Sequence, residues 1–258
     1  MALQPLFDTK NTPMRVICFM SGSGSNVEKI IEHQKMLEAD GKFLYDIVAI
    51  FSDTKISNAE DIGMRFGIPV RVNSITEFYE RNNAKRIDMS LRSDFDRMTL
   101  EKLDYFDADV AAYAGYMSIA SKVLVDAYMG INVHPADLSI TDDAGARKYA
   151  GWNAVRDQIF AGEKFLRSST HLLTDEVDRG PLLMVSKPVK TEFPKDFDRR
   201  RKFMVREVVQ EHQDRLKEIG DWVIFPKTLQ YIAEGRYARD KNGNIYFDGN
   251  PIPDGVRL

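Results

Sequence analysis

The chain has 258 residues, of which 43% are hydrophobic and 29% charged, a composition that can bury a core in one large domain or two small ones. Its 16 glycines and 10 prolines are ordinary for this length and exclude a collagen-like or largely disordered chain. The 36 Lys and Arg against 39 Asp and Glu give a formal net charge of -3, which is not typical of a nucleic-acid binder. We therefore expect a globular protein that does not bind nucleic acid.

The cysteine content and the N-terminus indicate a cellular compartment. The single cysteine, Cys18, lies in the apolar run 16–20, so no intramolecular disulfide can form, and a buried thiol fits a reducing environment. Residues 1–13 lack a basic start followed by an apolar stretch, and no uncharged apolar run approaches the roughly 20 residues that cross a bilayer. We expect a cytoplasmic protein without a membrane partner, with a flexible tail over residues 1–13.

The first half of the chain alternates strands and helices. Apolar, β-favouring runs bounded by turn residues predict the strands, and apolar residues at helical spacing predict the helices. The strands are 15–20, 45–51, 67–72, 108–113 and 130–134, and the helices include 27–34, 59–66 and 121–128. This alternation predicts an α/β fold with a Rossmann-like, mostly parallel sheet that carries helices on both faces.

The second half predicts a helix, two strands and a C-terminal appendage. The helix is 151–161, the strands are 168–174 and 181–189, and a long charged helix over 195–220 precedes a shorter helix after Pro226 and a hairpin turn at 241–244. No segment has linker composition and no repeat is present. We expect one domain over residues 14–258, with an α/β core over 14–190 and a helical segment and hairpin over 191–258.

A glycine-rich turn, SGSGSN over residues 21–26, joins the first strand to the first helix. Its backbone N–H groups and the positive end of the helix dipole point to one place, where a phosphate could approach the glycines closely. A tight turn in which Ser or Asn caps the helix explains the same residues. The turn matches neither the dinucleotide fingerprint nor the Gly-Lys-Ser/Thr nucleotide loop, so the sequence leaves both interpretations open.

Asn132 and His134 lie two residues apart at the carboxyl end of a predicted strand, so their side chains share one face. Ligands of open α/β sheets bind at that edge, where the glycine turn also lies. An amide donor beside an imidazole can polarise a carbonyl and exchange a proton near neutral pH. Such a pair needs a carboxylate, and the turn after residues 168–174 offers three, which spacing alone does not separate: Asp175, Glu176 and Asp178.

A metal site and an anion site are weaker interpretations. His134, His171 and one acid could form a two-histidine, one-carboxylate centre, but the paired-histidine spacing of zinc motifs is missing. We therefore expect no metal and interpret His171 as a packed or hydrogen-bonded strand residue. The charged run 198–202 is interpreted as a solvated helix face.

Four motifs together resemble the folate-dependent formyltransferases: SGSGSN over 21–26, AGYMSI over 114–119, INVHP over 131–135 and TDEVDRGP over 174–181. Their order and spacing hold from about Met14 to Val189, and residues 226–248 are also similar to that family. Each motif alone has little specificity, but the combination has much. The resemblance implies a formyltransferase fold.

The resemblance also implies roles for individual residues. The catalytic residues would be Asn132, His134 and Asp178, and the phosphate of the substrate would bind at Gly24, Ser25 and Asn26. The folate would bind at Tyr116, Met117, Ser118, Ile119, Thr174 and Asp175. Glu211, in the motif VQEH, matches a ribose-contacting glutamate, with Asp221 as a competitor because an extra stretch precedes Phe225.

The implied reaction is transfer of a formyl group from the cosubstrate 10-formyltetrahydrofolate to the amine of phosphoribosylglycinamide in purine biosynthesis. Asn132 and His134 would hold the oxyanion, and Asp178 would assist the loss of the amine proton, without a metal. The partners would be these small molecules, and the sequence permits a homodimer without defining the oligomeric state.

Some residues depart from the family pattern near the amine substrate. The segment 136–149 is longer than usual, Asn153 stands where a histidine is expected, and residues 81–96 resemble an insertion. A formyltransferase with a different, phosphorylated amine acceptor and a non-catalytic phosphometabolite-binding module are therefore the alternatives. A formyltetrahydrofolate hydrolase would usually carry a regulatory domain before the first strand, for which residues 1–13 leave no room.

Overall fold

The computed structural model describes residues 3–258 as alternating strands and helices. The strands are β1 (Gln4–Pro5), β2 (Met14–Met20), β3 (Tyr45–Ser52), β4 (Val70–Val72), β5 (Val110–Tyr113), β6 (Met129–His134), β7 (Phe165–Leu166), β8 (Ser169–Leu172), β9 (Leu182–Val185), β10 (Val189–Lys190), β11 (Tyr237–Arg239), β12 (Ile245–Phe247), β13 (Asn250–Pro251) and β14 (Val256–Arg257). The helices are α1 (Ser25–Ala39), α2 (Ala59–Phe66), α3 (Ile75–Arg81), α4 (Arg92–Leu103), α5 (Lys122–Ala127), α6 (Ala154–Ala161), α7 (Lys202–Leu216) and α8 (Trp222–Ala233).

An eight-stranded sheet forms the centre, in the order β14-β9-β8-β6-β5-β2-β3-β4. Strand β8 runs antiparallel to its neighbours β6 and β9, and the remaining neighbours are parallel. The predicted mostly parallel α/β sheet is therefore confirmed. Strands β7 and β10 form a separate antiparallel pair.

Strand β2 shows why the sheet is covered on both faces. Val16, Cys18 and Met20 join the apolar cluster that includes side chains of α1 and α8. Ile17 and Phe19 join a second cluster with side chains of α4 and α5. Because successive side chains of a strand point to opposite faces, both faces must be apolar, and the strand is a continuous hydrophobic run.

The prediction of a flexible tail is wrong for residues 4–11. Strand β1 pairs antiparallel with β11, with Gln4 opposite Arg239, and the side chain of Phe7 is buried in the main core. This pairing joins residues more than 200 positions apart, so no local pattern could predict it. The turn at 241–244 does connect a hairpin, β11 and β12, which belongs to a four-stranded sheet with β1 and β13.

The C-terminal helical segment also differs from the prediction. Helix α7 begins at Lys202, seven residues after the expected start at 195, and runs through a π-helical turn over Lys217–Asp221 into α8. Pro226 lies inside α8 instead of preceding it. Packing of Phe225 and Leu229 in the main core accounts for a helix that continues past the proline, since tertiary packing outweighs the local preference.

Candidate active site

The carboxyl ends of β2, β5 and β6 open into a cleft of about 420 Å³. Its lining includes nearly every residue that the sequence singles out: Gly24, Ser25, Asn26, Tyr116, Met117, Ser118, Ile119, Asn132, His134, Thr174, Asp175 and Asp178. Gln213, Lys217 and Asp221 also line it, and Glu211 does not. One cleft therefore joins the glycine turn, the Asn-x-His pair and the acidic turn.

Asn132 and His134 lie on β6, with Ile131 turned into the main core. The antiparallel strand β8 places His171 directly opposite Asn132. The Nδ1 atom of His171 lies 2.8 Å from the carbonyl oxygen of Leu172, to which it donates, so Nε2 of a neutral ring accepts from Asn132 Nδ2 at 3.3 Å. His171 is thus a buried, hydrogen-bonded strand residue, as the sequence interpretation expects, and its contact with Asn132 is the part that the sequence did not indicate.

Asp178 is the acid that reaches the pair. Its Oδ2 atom lies 3.3 Å from His134 Nδ1 and accepts the Gly151 N–H at 2.8 Å. Its Oδ1 atom lies 3.4 Å from Asn132 Nδ2 and 3.5 Å from His171 Nε2. The other two acids of the turn are exposed, so only Asp178 can act on the amide and both imidazoles.

The turn that carries Asp178 has an unusual backbone. Asp178 has φ = +55°, a left-handed conformation that Asp and Asn tolerate better than other side-chain-bearing residues. Arg147 donates to the carbonyl oxygens of Asp178 and Gly180, at 2.5 and 2.8 Å. Gly180 fits because a Cβ there would run into the backbone of Leu172. The segment 136–149, which is longer than usual for the family, thus holds the acidic turn in place through Arg147.

The same segment positions His134. The carbonyl oxygen of Tyr149 lies 2.8 Å from His134 Nε2 and accepts a hydrogen bond from its N–H, which leaves Nδ1 facing Asp178. A neutral His134 therefore presents a lone pair on Nδ1. A proton added at Nδ1 would lie between the ring and Asp178 Oδ2, 3.3 Å from Nδ1, and the negative charge of the carboxylate would stabilise it.

Burial and hydrogen bonding set the charges of this group. Burial would raise the pKa of Asp178, but its contacts with His171 and His134 and the Gly151 N–H outweigh that effect and hold the pKa far below its usual range. Burial lowers the pKa of His134, and the Asp178 charge opposes that shift only in part. Near neutral pH the pair is therefore a carboxylate beside a neutral imidazole.

The opposite end of the cleft is built by the start of α1. Gly24 occupies the N-cap position with φ = +74° and provides no side-chain cap, so the capping interpretation of the glycine turn is wrong. Ser25 and Asn26, the first residues of α1, line the cleft, so the positive end of the helix dipole is available to an anion there. A Cβ at Gly24 would meet Ile62 and Met20, so this glycine is needed for packing as well as for the turn.

A row of polar residues from α7 and the π-helical turn faces this anion site. Gln213, Lys217 and Asp221 are spaced by four residues and all line the cleft, as expected for one helix face. Glu211, the predicted ribose contact, lies two residues before Gln213, is exposed and does not line the cleft. Asp221 is the acid that reaches the cleft, and its Oδ1 atom has no hydrogen-bond partner within residues 3–258.

Burial raises the pKa of Asp221 from 3.8 to about 6, although Ser168 and Asn26 oppose the shift. Because the folded state holds this proton more tightly than the unfolded chain, the ionised form is destabilising, and stability is lost as the pH rises from about 4 to about 6. We expect Asp221→Asn to raise the unfolding free energy at pH 8 by about 1–3 kcal/mol, with no gain at pH 4.

Urea unfolding of Asp221→Asn and the wild type at both pH values measures this difference. Glu211→Gln is the control, because it removes an exposed carboxylate from the same helical segment. A variant as stable as the wild type at pH 8 would show that the Asp221 charge is not costly in the folded protein.

The remaining wall combines aromatic and apolar groups. The Tyr116 ring packs edge-on against Phe19, with ring centroids 5.6 Å apart, and the Met117 N–H donates to Ser21 Oγ at 2.8 Å. The Met117 and Ile119 side chains stay 50% and 37% exposed. This part of the cleft suits a flat, partly apolar ligand.

Among residues 3–258, no group of three or more His, Cys, Asp and Glu side chains is placed to hold a metal ion. The histidines of the metal hypothesis, His134 and His171, do lie near one acid, but their nitrogens face the two oxygens of Asp178. In the same part of the chain, no helix has both the length and the apolar character to cross a membrane.

Residues 14–197 match the model of the formyl transferase family, and this match covers more than half of the chain. The chain belongs to that family, and it is a folate-dependent formyltransferase. The resemblance inferred from the four motifs is confirmed. A non-catalytic binding module is thereby set aside.

The similar proteins include enzymes of purine biosynthesis. Phosphoribosylglycinamide formyltransferase of Escherichia coli (strain K12) is 26% identical over 243 residues, which are 93% of this chain and 96% of that protein. The trifunctional purine biosynthetic protein adenosine-3 of Homo sapiens is 26% identical over 242 residues, but the match covers 20% of that protein. The solved phosphoribosylglycinamide formyltransferase of Coxiella burnetii has a TM-score of 0.72 at 24% identity, covering 95% of this chain and 99% of that one.

Proposed function

We propose that this enzyme transfers the formyl group of 10-formyltetrahydrofolate to the amine of phosphoribosylglycinamide. The observation that carries the proposal is the contact of Asp178 with Asn132 and His134 in a cleft that extends to the free helix N-terminus. The cleft thus combines groups for acyl transfer with an anion site. The alternative acceptor, a different phosphorylated amine, would bind in the same cleft, with its amine near Asp178 and its phosphate at the start of α1.

The acceptor would lie with its phosphate at the start of α1. Backbone N–H groups of Ser25 and Asn26 would donate to the phosphate oxygens, and the Lys217 ammonium would add charge from the facing helix. The unpartnered Oδ1 atom of Asp221 would accept from a sugar hydroxyl. Asp221 thus replaces Glu211 in the role of ribose contact.

The formyl donor would occupy the wall made by residues 116–119 and 174–175. These residues are partly exposed in the cleft and offer backbone polar groups together with the apolar Met117 and Ile119. A folate carries a flat heteroaromatic ring that suits such a surface. The formyl carbon would then lie between the folate and the acceptor, beside Asn132.

In the reaction, the acceptor amine would attack the formyl carbon and form a tetrahedral intermediate. The Nδ2 atom of Asn132 has only long contacts, 3.3 Å to His171 Nε2 and 3.4 Å to Asp178 Oδ1, so one hydrogen can turn to the oxyanion. The Nε2 proton of His134 is engaged by Tyr149. We therefore assign the oxyanion mainly to Asn132.

Proton transfer would involve His134 and Asp178. The amine must lose a proton as it bonds to the formyl carbon, and Asp178, whose Oδ2 atom faces Nδ1 of His134, can take that proton, directly or through water, and pass it to Nδ1. The resulting imidazolium would be stabilised by Asp178 at 3.3 Å. The bond from the formyl carbon to the folate nitrogen then breaks, and the proton passes to that nitrogen.

Lys217→Ala is expected to raise the KM for the phosphorylated acceptor by roughly tenfold while changing the KM for the folate less than about twofold, since of the two substrates only the acceptor carries a phosphate for this ammonium, which also pairs with Asp214 at 3.0 Å. Steady-state kinetics with each substrate varied in turn measures the two values. Lys29→Ala is the matched control, because Lys29 lies on α1, pairs with Glu32 and does not line the cleft. Equal increases in both KM values would indicate a general defect.

The acceptor itself is tested by comparing phosphoribosylglycinamide with its dephosphorylated riboside at constant 10-formyltetrahydrofolate. We expect kcat/KM to fall by roughly 10²-fold or more for the riboside, because the anion site at α1 remains empty. Product analysis by mass spectrometry identifies the formylated amine. Equal kcat/KM values for the two compounds would show that the enzyme does not require a phosphate on its acceptor.

A further inference from the structure

A second groove lies between α6 and α7, next to the catalytic cleft. It has a volume of about 720 Å³, which is in the range of small-molecule sites. Val155 and Val209 form part of its wall, and Pro135, Trp152 and Gln213 are shared with the catalytic cleft. The groove is therefore a neighbouring compartment of the active site, and the formyl transfer proposed above does not use it.

The charge of this groove is opposite to that of the whole protein. Four cations line it, Arg156, Arg199, Lys202 and Arg206, against the single carboxylate of Asp157. Asp157 pairs with Arg156 at 3.1 Å, and the nearby Asp198 pairs with Arg200 and Arg201, so the other three cations form no ion pair within residues 3–258. In a chain of net charge -3, three uncompensated cations in one concave surface favour a ligand with several negative charges.

Two aromatic side chains complete the groove. Trp152 is 69% exposed and Phe160 is 41% exposed, and both line the groove. The Arg199 guanidinium lies 5.9 Å from the Phe160 ring centroid, so a cation and an aromatic ring already adjoin. A solvated helix face, the interpretation of the run 198–202 from sequence, accounts for exposed charges but not for two exposed rings in the same groove.

We propose that this groove binds a nucleoside polyphosphate, with the base stacked on Trp152 or Phe160 and the phosphates held by Arg199, Lys202 and Arg206. A planar aromatic group joined to a chain of phosphates has the chemistry that the rings and the cations require. A polyanion without a base would leave the rings unused. A neutral heterocycle would leave the cations uncompensated.

The bound nucleotide would act on catalysis through the segment 149–152. Trp152 follows Gly151, whose N–H donates to the Asp178 carboxylate, and the Tyr149 carbonyl accepts from His134. Stacking on Trp152 would therefore favour one arrangement of the segment that orients the catalytic pair. The site is a regulatory site beside the active site, and this consequence rests on the proposed function.

Isothermal titration of the full-length protein with ATP, adenosine and tripolyphosphate tests the binding without any formyl transfer. We expect ATP to bind with a Kd below about 1 mM and at least about tenfold more tightly than either fragment. The charge-reversal variant Lys202→Glu/Arg206→Glu should weaken ATP binding by about tenfold or more. The neutral variant Lys202→Gln/Arg206→Gln replaces it if the reversal lowers the melting temperature.

Arg200→Glu is the matched control, because Arg200 belongs to the same charged run but pairs with Asp198 and does not line the groove. Its ATP affinity should stay within about twofold of the wild type. The proposal is wrong if ATP does not bind, if tripolyphosphate binds as tightly as ATP, or if a single-stranded oligonucleotide binds more tightly than ATP. It is also wrong if Lys217→Ala abolishes ATP binding and the Lys202/Arg206 variants do not, since ATP would then occupy the catalytic cleft.

The effect on turnover is measured separately, with the wild type and the Lys202→Gln/Arg206→Gln variant at saturating substrates. ATP should change the wild-type kcat by about twofold or more and leave the variant unchanged. If ATP binds in the groove without altering kcat, the binding site stands and the regulatory coupling is wrong. If neither protein forms formylated product, the proposed function is wrong, while the titration still decides the binding site.

Discussion

Asp178→Asn is expected to lower kcat by about 10²- to 10⁴-fold while a folate analogue still binds with an affinity close to that of the wild type. The amide keeps the shape of the side chain and tolerates the φ of +55° at this position, so the turn should be preserved. What is lost is the charge that stabilises a protonated His134. Steady-state kinetics and a direct binding titration with the analogue measure the two effects.

Two neighbouring acids provide the controls for this prediction. Asp175 and Glu176 are exposed on the same turn, and the nearest cation to Asp175 is Lys122 at 3.8 Å. Asp175→Asn and Glu176→Gln should therefore change kcat by less than about threefold. If Asp178→Asn were active and either Asp175→Asn or Glu176→Gln were inactive, the assignment of Asp178 as the catalytic acid would be wrong.

Asn132→Ala and His134→Ala are each expected to lower kcat by roughly 10²- to 10³-fold, because one removes the oxyanion donor and the other the proton acceptor. Both side chains line the cleft and neither belongs to the apolar clusters, so the variants should fold. Circular dichroism and thermal unfolding check the fold, and the kinetics give kcat. A folded His134→Ala enzyme with near wild-type turnover would contradict the mechanism.

The pH profile separates the two residues. Since burial lowers the pKa of His134 from 6.5 and the mechanism needs the neutral ring, kcat/KM should rise with pH below 6.5 and level off above it. Asn132→Ala should keep this acidic limb at a reduced rate. His134→Ala should lose it, because the Asp178 carboxylate stays ionised throughout this range.

The sequence predicted those parts of the molecule that depend on local pattern. The continuous apolar run of β2, the glycine turn and the Asn-x-His pair at the end of β6 all follow from spacing along one segment. Because parallel strands end at a common edge, the convergence of these segments also follows. The alternation of strands and helices was sufficient for the fold class.

The parts that the sequence did not predict depend on contacts between distant segments. The contact of His171 with Asn132 follows from its register opposite Asn132, on a strand that runs antiparallel in a mostly parallel sheet. The choice between Glu211 and Asp221 depends on the π-helical turn at 217–221, which continues the helix into α8. The pairing of β1 with β11 and of β14 with β9 also joins the chain termini to distant strands.

The most direct test of the central claim is the release of tetrahydrofolate from 10-formyltetrahydrofolate, followed with and without phosphoribosylglycinamide. We expect release only when the acceptor is present, in equal amount to the formylated acceptor, and loss of both products in Asp178→Asn. Release at the same rate without the acceptor would instead identify a hydrolase. Without release under either condition, the assignment of donor and acceptor would be contradicted.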